Sequence, residues 1–155
     1  MEIRRFKPED ARPVAELIVK TLQTVNVADY SGEYIAGLIR EYTPEYILER
    51  AGWTHFYVVS DGGSIVGSGA IGSYYGKKDE SCIFTVFVSP EYEGRGIGKM
   101  IMQTLENDIF FRRAKRVEVP ASITACGFYR KLGYQHKAGG EKLDENLLYK
   151  LEKFR

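Results

Sequence analysis

The sequence predicts a mixed α/β fold built as one domain over residues 1–155, and three observations carry that expectation. Short apolar runs of strand length alternate with longer stretches whose apolar residues recur at helical spacing. No internal repeat, low-complexity tract or linker rich in proline, serine or glycine divides the chain. An apolar run from Cys82 to Val88 leads into a glycine-crowded junction and then into an amphipathic helix. At 155 residues the chain can bury a core without disulfide or metal staples.

Ile3 to Phe6 reads as a first strand, ended by Pro8. From Glu9 to about Leu22, Val14, Leu17, Ile18 and Leu22 fall on one helical face. A second helical region runs from about Gly32 to Arg50, rich in tyrosine and interrupted at Pro44. Phe56 to Ser60 is a strand closing in Asp61-Gly62-Gly63, a strong hairpin turn, and Ser64 to Tyr75 is its return. Cys82 to Val88 is apolar on both faces, as expected of a central strand covered on both sides, and Ser89-Pro90 ends it. After the glycines, Ile97, Ile101, Leu105 and Ile109 recur every four residues. Val117 and Val119 mark another strand, and Ser122 is placed to cap a helix through Lys131 that Gly133 terminates. In the tail, Leu147, Tyr149 and Leu151 alternate with Lys150 and Glu152, which predicts two final strands.

Composition removes several function classes. Charged residues make up 28% of the chain and leave a formal net charge of +1, which argues against a general binder of nucleic acid. The opening MEIRRFKPED lacks the apolar core of a signal peptide, and no apolar run approaches membrane-spanning length. Cys82 and Cys126 stand without a CxxC or a histidine at zinc spacing, so reduced thiols are expected rather than a disulfide or metal site. The expectation is a cytoplasmic protein, a monomer or homodimer, with no metal, nucleic-acid or membrane partner.

The stretch 92-YEGRGIGKMIM-102 carries the chemistry. A helix's leading N–H groups lack intrahelical partners, and its dipole adds about half a positive charge there. Glycine lets an anion approach and permits the left-handed conformations that turn successive N–H groups inward. Gly94, Gly96 and Gly98 thus predict an anion site, with Arg95 and Lys99 adding charge at its rim; a merely glycine-rich tight turn is the alternative. The dinucleotide fingerprint fails because Lys99 stands where its third glycine belongs. The nucleotide P-loop fails because Met100 follows Gly98-Lys99 and Glu93 stands in place of its first glycine.

VFVSPEYEGRGIGKMIM resembles motif A of the GNAT superfamily of N-acetyltransferases, in which a central strand leads into Gln/Arg-x-x-Gly-x-Gly/Ala and cradles the pyrophosphate of coenzyme A. Downstream, 121-ASITACGFYRKLGY-134 resembles motif B, a helix carrying Phe-Tyr followed by Lys-x-Gly-Phe/Tyr. The two cover roughly Cys82 to Tyr134 in the family's order. The resemblance implies a central mixed, mostly antiparallel twisted sheet of about six to seven strands flanked by about four helices. It implies an acetyl-CoA-dependent transfer of the acetyl group to a primary amine, by direct attack in a ternary complex. Glu93, Gly94, Arg95, Gly96, Ile97, Gly98 and Lys99 are then expected around the pyrophosphate. The backbone of Val86, Phe87 and Val88, where the strand splays from its neighbour, would bind the pantetheine arm and thioester carbonyl.

Tyr129, in the Phe-Tyr pair, is implied as the general acid for the departing thiolate, and a phenol holds its proton at neutral pH. Phe128 belongs to the core. Ser122 stands where relatives carry an asparagine on the cofactor arm, so it either makes a shorter contact or only caps the helix. A lysine-like acceptor amine would need about 4 kcal/mol for deprotonation near neutrality, and no base is assigned. Glu80 and Glu118 are candidates that more simply read as solvated charges, and His55 and His136 read as structural or exposed.

Glu93 departs from the motif by placing a carboxylate where Gln or Arg is usual, with its side chain expected to turn outward and its N–H to remain available. For the acceptor, a small-molecule or peptide amine, Tyr30 and Tyr34 lead a segment where Tyr42, Tyr46 and interleaved carboxylates could hold a cation, or simply pack two helices. Two further alternatives are a non-catalytic acyl-CoA-binding sensor or interaction domain on the same fold, and an unrelated phosphate-binding protein.

Overall fold

Strand β1 (Glu2–Arg5) pairs antiparallel with β2 (His55–Asp61), which turns back into β3 (Ser64–Ser73) in a computed structural model that describes residues 1–155. The turn rests on Gly62 and Gly63, whose φ angles of 56° and 87° belong to the left-handed region that a two-residue hairpin needs. Pro8 opens a 3₁₀ turn in which Asp10 accepts from the Lys7 N–H at 2.8 Å, and helix α1 (Ala11–Thr24) follows. Ser31 and Thr43 cap α2 (Gly32–Glu41) and α3 (Pro44–Trp53), each hydroxyl accepting a backbone N–H at 3.1 Å.

Strand β4 (Glu80–Val88) runs antiparallel to β3 and parallel to β5 (Arg116–Ala121). Strand β7 (Tyr149–Phe154) pairs antiparallel with β5, and the two-residue β6 (Gln135–His136) closes the edge. The result is one seven-stranded sheet in the order β1-β2-β3-β4-β5-β7-β6 with a single parallel join. The resemblance implied this mostly antiparallel sheet. Four helices reach ten residues, α1 to α3 and α4 (Ile97–Glu106); α5 (Ile109–Arg112) and α6 (Cys126–Lys131) are shorter. On one face Ile97, Ile101, Met102 and Leu105 of α4 pack against Val59, Ile71, Ile83 and Val117. On the other, Val14, Ile18, Ile35 and Ile47 pack against Phe56, Val58 and Ala70. No helix is long and apolar enough to cross a membrane.

Four expectations are corrected in detail. The four-residue period runs to Ile109, but α4 stops at Glu106 and Ile109 is exposed. Asp108 diverts the chain: it caps α5 through the Phe110 N–H at 2.8 Å while binding His55 Nδ1 at 2.8 Å and the Tyr57 hydroxyl at 2.6 Å. Strand β3 ends at Ser73 because the backbone turns at Tyr75, where φ is 48°. Strand β4 is covered on both faces only at first; Ser81 to Ile83 are buried, whereas Val86 to Val88 are half-buried. Helix α6 begins at Cys126, and Ser122 caps the turn leading into it, accepting from the Ala125 N–H at 3.0 Å.

Pairing between β3 and β4 slips by one residue, from Ser68↔Phe87 to Ala70↔Phe84, so β4 carries a bulge. Thr85 in the bulge has φ 59°, and its carbonyl accepts from the Ser68 hydroxyl at 2.8 Å. Gly69 lies opposite, and a Cβ there would come 2.5 Å from Ile101 Cγ2. That methyl belongs to a stiff β-branched side chain. Gly69→Ala is therefore expected to destabilise the fold by about 1–3 kcal/mol, read from denaturant unfolding. An unchanged midpoint would mean that α4 can retreat from the bulge.

Candidate active site

Strands β4 and β5 are joined only through Glu80↔Arg116, Ser81↔Val117 and Cys82↔Glu118. Beyond Cys82 the two strands part, and β4 has no neighbour on that side. This is the splay expected at Val86, Phe87 and Val88, and a cleft of about 1490 Å³ runs through it. Residues from both faces of the sheet line the cleft: Gly94, Gly96, Gly98 and Lys99 at one end, Tyr46, Arg50 and Trp53 at the other.

The glycines act in two ways. Gly94 and Gly96 have φ of 76° and 77°, and Gly96 is the N-cap of α4. Gly98 has ordinary geometry, but a Cβ there would lie 3.2 Å from Phe128 Cζ, so it lets α6 approach α4. The first helical bond of α4 runs from the Met100 N–H to the Gly96 carbonyl at 3.0 Å. Every backbone N–H from Gly94 through Lys99 is left without a protein acceptor. Free donors grouped at a helix N-terminus are the arrangement that anion binding uses.

Glu93 is exposed at the rim, but its N–H donates to the Pro90 carbonyl at 3.4 Å, so the free donors begin at Gly94. Lys99 is exposed along the cleft. Arg95 is not among the lining residues; its guanidinium stacks 4.7 Å from the Tyr92 ring, whose hydroxyl donates to Asp61 at 2.7 Å.

Tyr129 is 5% exposed in the α4-side core, yet it lines the cleft. Its hydroxyl has no protein partner and is not sealed from the cleft. Burial, with Cys82 nearby, pushes its pKa above that of an ordinary phenol, so it holds its proton across neutrality. The Cys82 thiol is pushed up to about 12, by burial first and the neighbouring Glu118 second, and it is not a nucleophile at neutral pH. Cys126 is also free. The Ser122 oxygen caps its turn while its O–H proton remains available to the cleft, so capping and ligand contact are compatible.

Glu118 is not a solvated charge. It is 2% exposed on β5, and its Oε1 accepts from Arg116 and, at 3.1 Å, from Lys137. Its other oxygen has no protein donor and is not sealed. Arg116 also binds Glu80 at 2.9 Å and Glu152 at 2.6 Å. Glu80, held by Arg116 first and Lys77 second, has its pKa lowered and does not line the cleft. His55 is bound to Asp108, and His136 Nδ1 faces the Gly140 carbonyl at 3.1 Å, both structural.

Tyr30 and Tyr34 stack at 4.7 Å and line the cleft, but their hydroxyls bind backbone. Tyr30 donates to the Leu147 carbonyl at 2.7 Å and accepts from the Ile123 N–H at 2.9 Å; Tyr34 donates to the Asn146 carbonyl. With the Thr124 hydroxyl on Asp29 at 2.8 Å, they strap α2 and the segment before it to the far half of the sheet. Sequence reasoning missed Arg50 on the same wall, although Tyr46, Arg50 and Trp53 share one helical face at i, i+4 and i+7.

A sheet that parts at one parallel seam, with an open helix N-terminus at one end of the parting and a buried phenol along it, defines an acyltransferase architecture. The chain belongs to the acetyltransferase (GNAT) family, whose model matches residues 20–134. Among solved structures it is similar to the PaiA N-acetyltransferase of Thermoplasma acidophilum in complex with coenzyme A, at 20% identity and TM-score 0.82 over 99% of this chain and 98% of that one. A GCN5-related N-acetyltransferase from Rhodopseudomonas palustris matches at 23% identity and TM-score 0.77, over 99% of this chain and 95% of that one. A GNAT family acetyltransferase from Brucella melitensis in complex with acetyl-CoA matches at 18% identity and TM-score 0.65, over 99% and 86%. At these identities the likenesses speak for the fold.

Proposed function

We propose that the chain acts as one domain, an N-acetyltransferase that uses acetyl-CoA and acetylates a primary amine by direct attack in a ternary complex. The observation that supports this best is the run of unpartnered N–H groups from Gly94 to Lys99, opening into a cleft that passes Tyr129. The cradle fits a diphosphate: two of its residues have backbone angles reserved for glycine, and no side chain obstructs them. Bound acetyl-CoA supplies an activated acyl carbon and a thiolate leaving group.

The chain's residues do the rest. On the side facing β5, where no strand pairs it, the backbone of Val86 to Val88 orients the pantetheine arm and offers N–H to the thioester oxygen. The free oxygen of Glu118 accepts the amine proton, directly or through water. As the C–N bond forms and the C–S bond breaks, Tyr129 gives its proton to the departing sulfur. Solvent then returns the proton from Glu118 to the phenol. A thiolate expelled into this partly dry site is a stronger base than in water, which favours transfer even from a raised phenol.

Ligand profiling followed by turnover tests the proposal. Acetyl-CoA is expected to raise the melting temperature where ATP and NAD do not, and an amine panel is expected to release free thiol. Glu118→Gln should lower kcat with little change in acetyl-CoA affinity. Stabilisation without thiol release from any amine would favour an acyl-CoA-binding sensor instead. Full activity in Glu118→Gln would remove only the base assignment.

A further inference from the structure

The inner wall of the cleft holds an arginine that no carboxylate neutralises. Arg50, from the last turn of α3, lies among three aromatic rings, its guanidinium carbon 4.4 Å from the Phe84 centroid, 5.2 Å from Tyr46 and 5.8 Å from Trp53. One terminal nitrogen donates to Thr85 Oγ1 at 3.1 Å and the other to the Tyr46 hydroxyl at 2.5 Å. Both partners are neutral, and Arg50 enters none of the ion pairs.

The position sharpens the point. Thr85 is the bulge residue of β4, next to the Val86 backbone assigned to the thioester. Cys82, Glu118 and Tyr129 line the same cleft as Arg50, which enters it from α3. The cleft's other cations are placed differently. Lys99 belongs to the donor end, and the Lys150 ammonium is 3.9 Å from Asp144. The acceptor-side acids lie further out or are engaged: Glu33 and Glu41 are exposed on α2, and Asp144 accepts the N–H groups of Asn146 and Leu148.

A guanidinium has five N–H donors in one plane, suited to a two-oxygen anion. We propose that the acceptor carries a carboxylate beside its amine and that Arg50 binds it, so that the substrates are amino-carboxylates rather than polyamines. This rests on the acetyltransferase reading and narrows it. The carboxylate lies on the guanidinium fork while the amine points across the cleft toward Glu118, and the rings of Tyr46, Trp53 and Phe84 enclose the apolar part. A second ammonium on the acceptor would meet Arg50 unscreened. The same positive charge disfavours the protonated form of the nucleophilic amine.

The test compares matched acceptors that differ only in the carboxylate: a series of amino acids, their primary amides and their decarboxylated amines, each assayed for thiol release. The acid is expected to be preferred in kcat/KM by about 10- to 100-fold. In Arg50→Gln that preference should collapse through the acceptor KM, with the KM for acetyl-CoA unchanged. Arg50→Lys should restore part of it. An arginine that only props the bulge would instead slow all acceptors alike. A wild-type preference for amides, amines or polyamines overturns the inference, as does a carboxylate preference that survives Arg50→Gln. A protein that binds acetyl-CoA but acetylates no member of the series also overturns it, leaving donor binding intact. Failure to bind acetyl-CoA overturns the parent proposal as well.

Discussion

Tyr129→Phe is expected to lower the kcat of thiol release by about 10²–10³-fold, with the dissociation constant for acetyl-CoA unchanged. Phenylalanine preserves the packing: the ring sits 5.2 Å from Phe128 and 6.2 Å from Tyr134, and the lost hydroxyl has no protein partner to strand. The substitution therefore removes a proton donor and little else. Because burial raises the phenol above its usual pKa, its protonated form is complete below that value and declines only as pH rises through it. Over neutral pH the wild-type rate should show no limb from Tyr129. Turnover that survived the substitution intact would refute the assignment as general acid.

Gly96→Val should weaken acetyl-CoA binding by about 10- to 100-fold, through backbone strain of about 1–2 kcal/mol and a blocked approach to the cradle. At φ 77° a β-branched residue is badly placed, and relaxing it would rotate the N–H groups at the start of α4. Calorimetry with acetyl-CoA reads the effect, and unfolding without ligand separates the strain from the lost contacts. Unchanged affinity would mean that the anion does not sit on this helix terminus.

Local features were legible in the sequence because their causes are local. The Asp61-Gly62-Gly63 hairpin, the helical break at Pro44 and the β4–glycine–α4 junction each carry their own turn chemistry. Tyr129 is singled out in the sequence only by resemblance, and its free hydroxyl is a property of the packing. What escaped depends on distant residues. Glu118 looked like a solvated charge because its partners, Arg116 and Lys137, reach it only once β5 is folded into the sheet. The strap made by Tyr30 and Tyr34 is invisible in the sequence, where they read as cation-binding or packing aromatics, because the carbonyls that take their hydroxyls lie more than a hundred positions later. Helical period alone could not end α4 before Ile109, since the stop is set by Asp108 answering His55 and Tyr57 across the sheet. Arg50 had a usable signal in its flanking aromatics, but its lack of a carboxylate is a property of the whole cleft.

The parting of β4 and β5 has a mechanical corollary. The two halves of the sheet are plates fastened at one edge by a three-pair seam and, across the gap, by the strap of Asp29, Tyr30 and Tyr34. A third fastener sits at the cradle itself, where Phe128 of α6 lies against Gly98 of α4, with the Tyr134 hydroxyl bound to Glu106 at 2.7 Å beside it. Seam and strap touch neither the Tyr129 hydroxyl nor the glycines, whereas the Phe128 contact ties the aperture to the cradle.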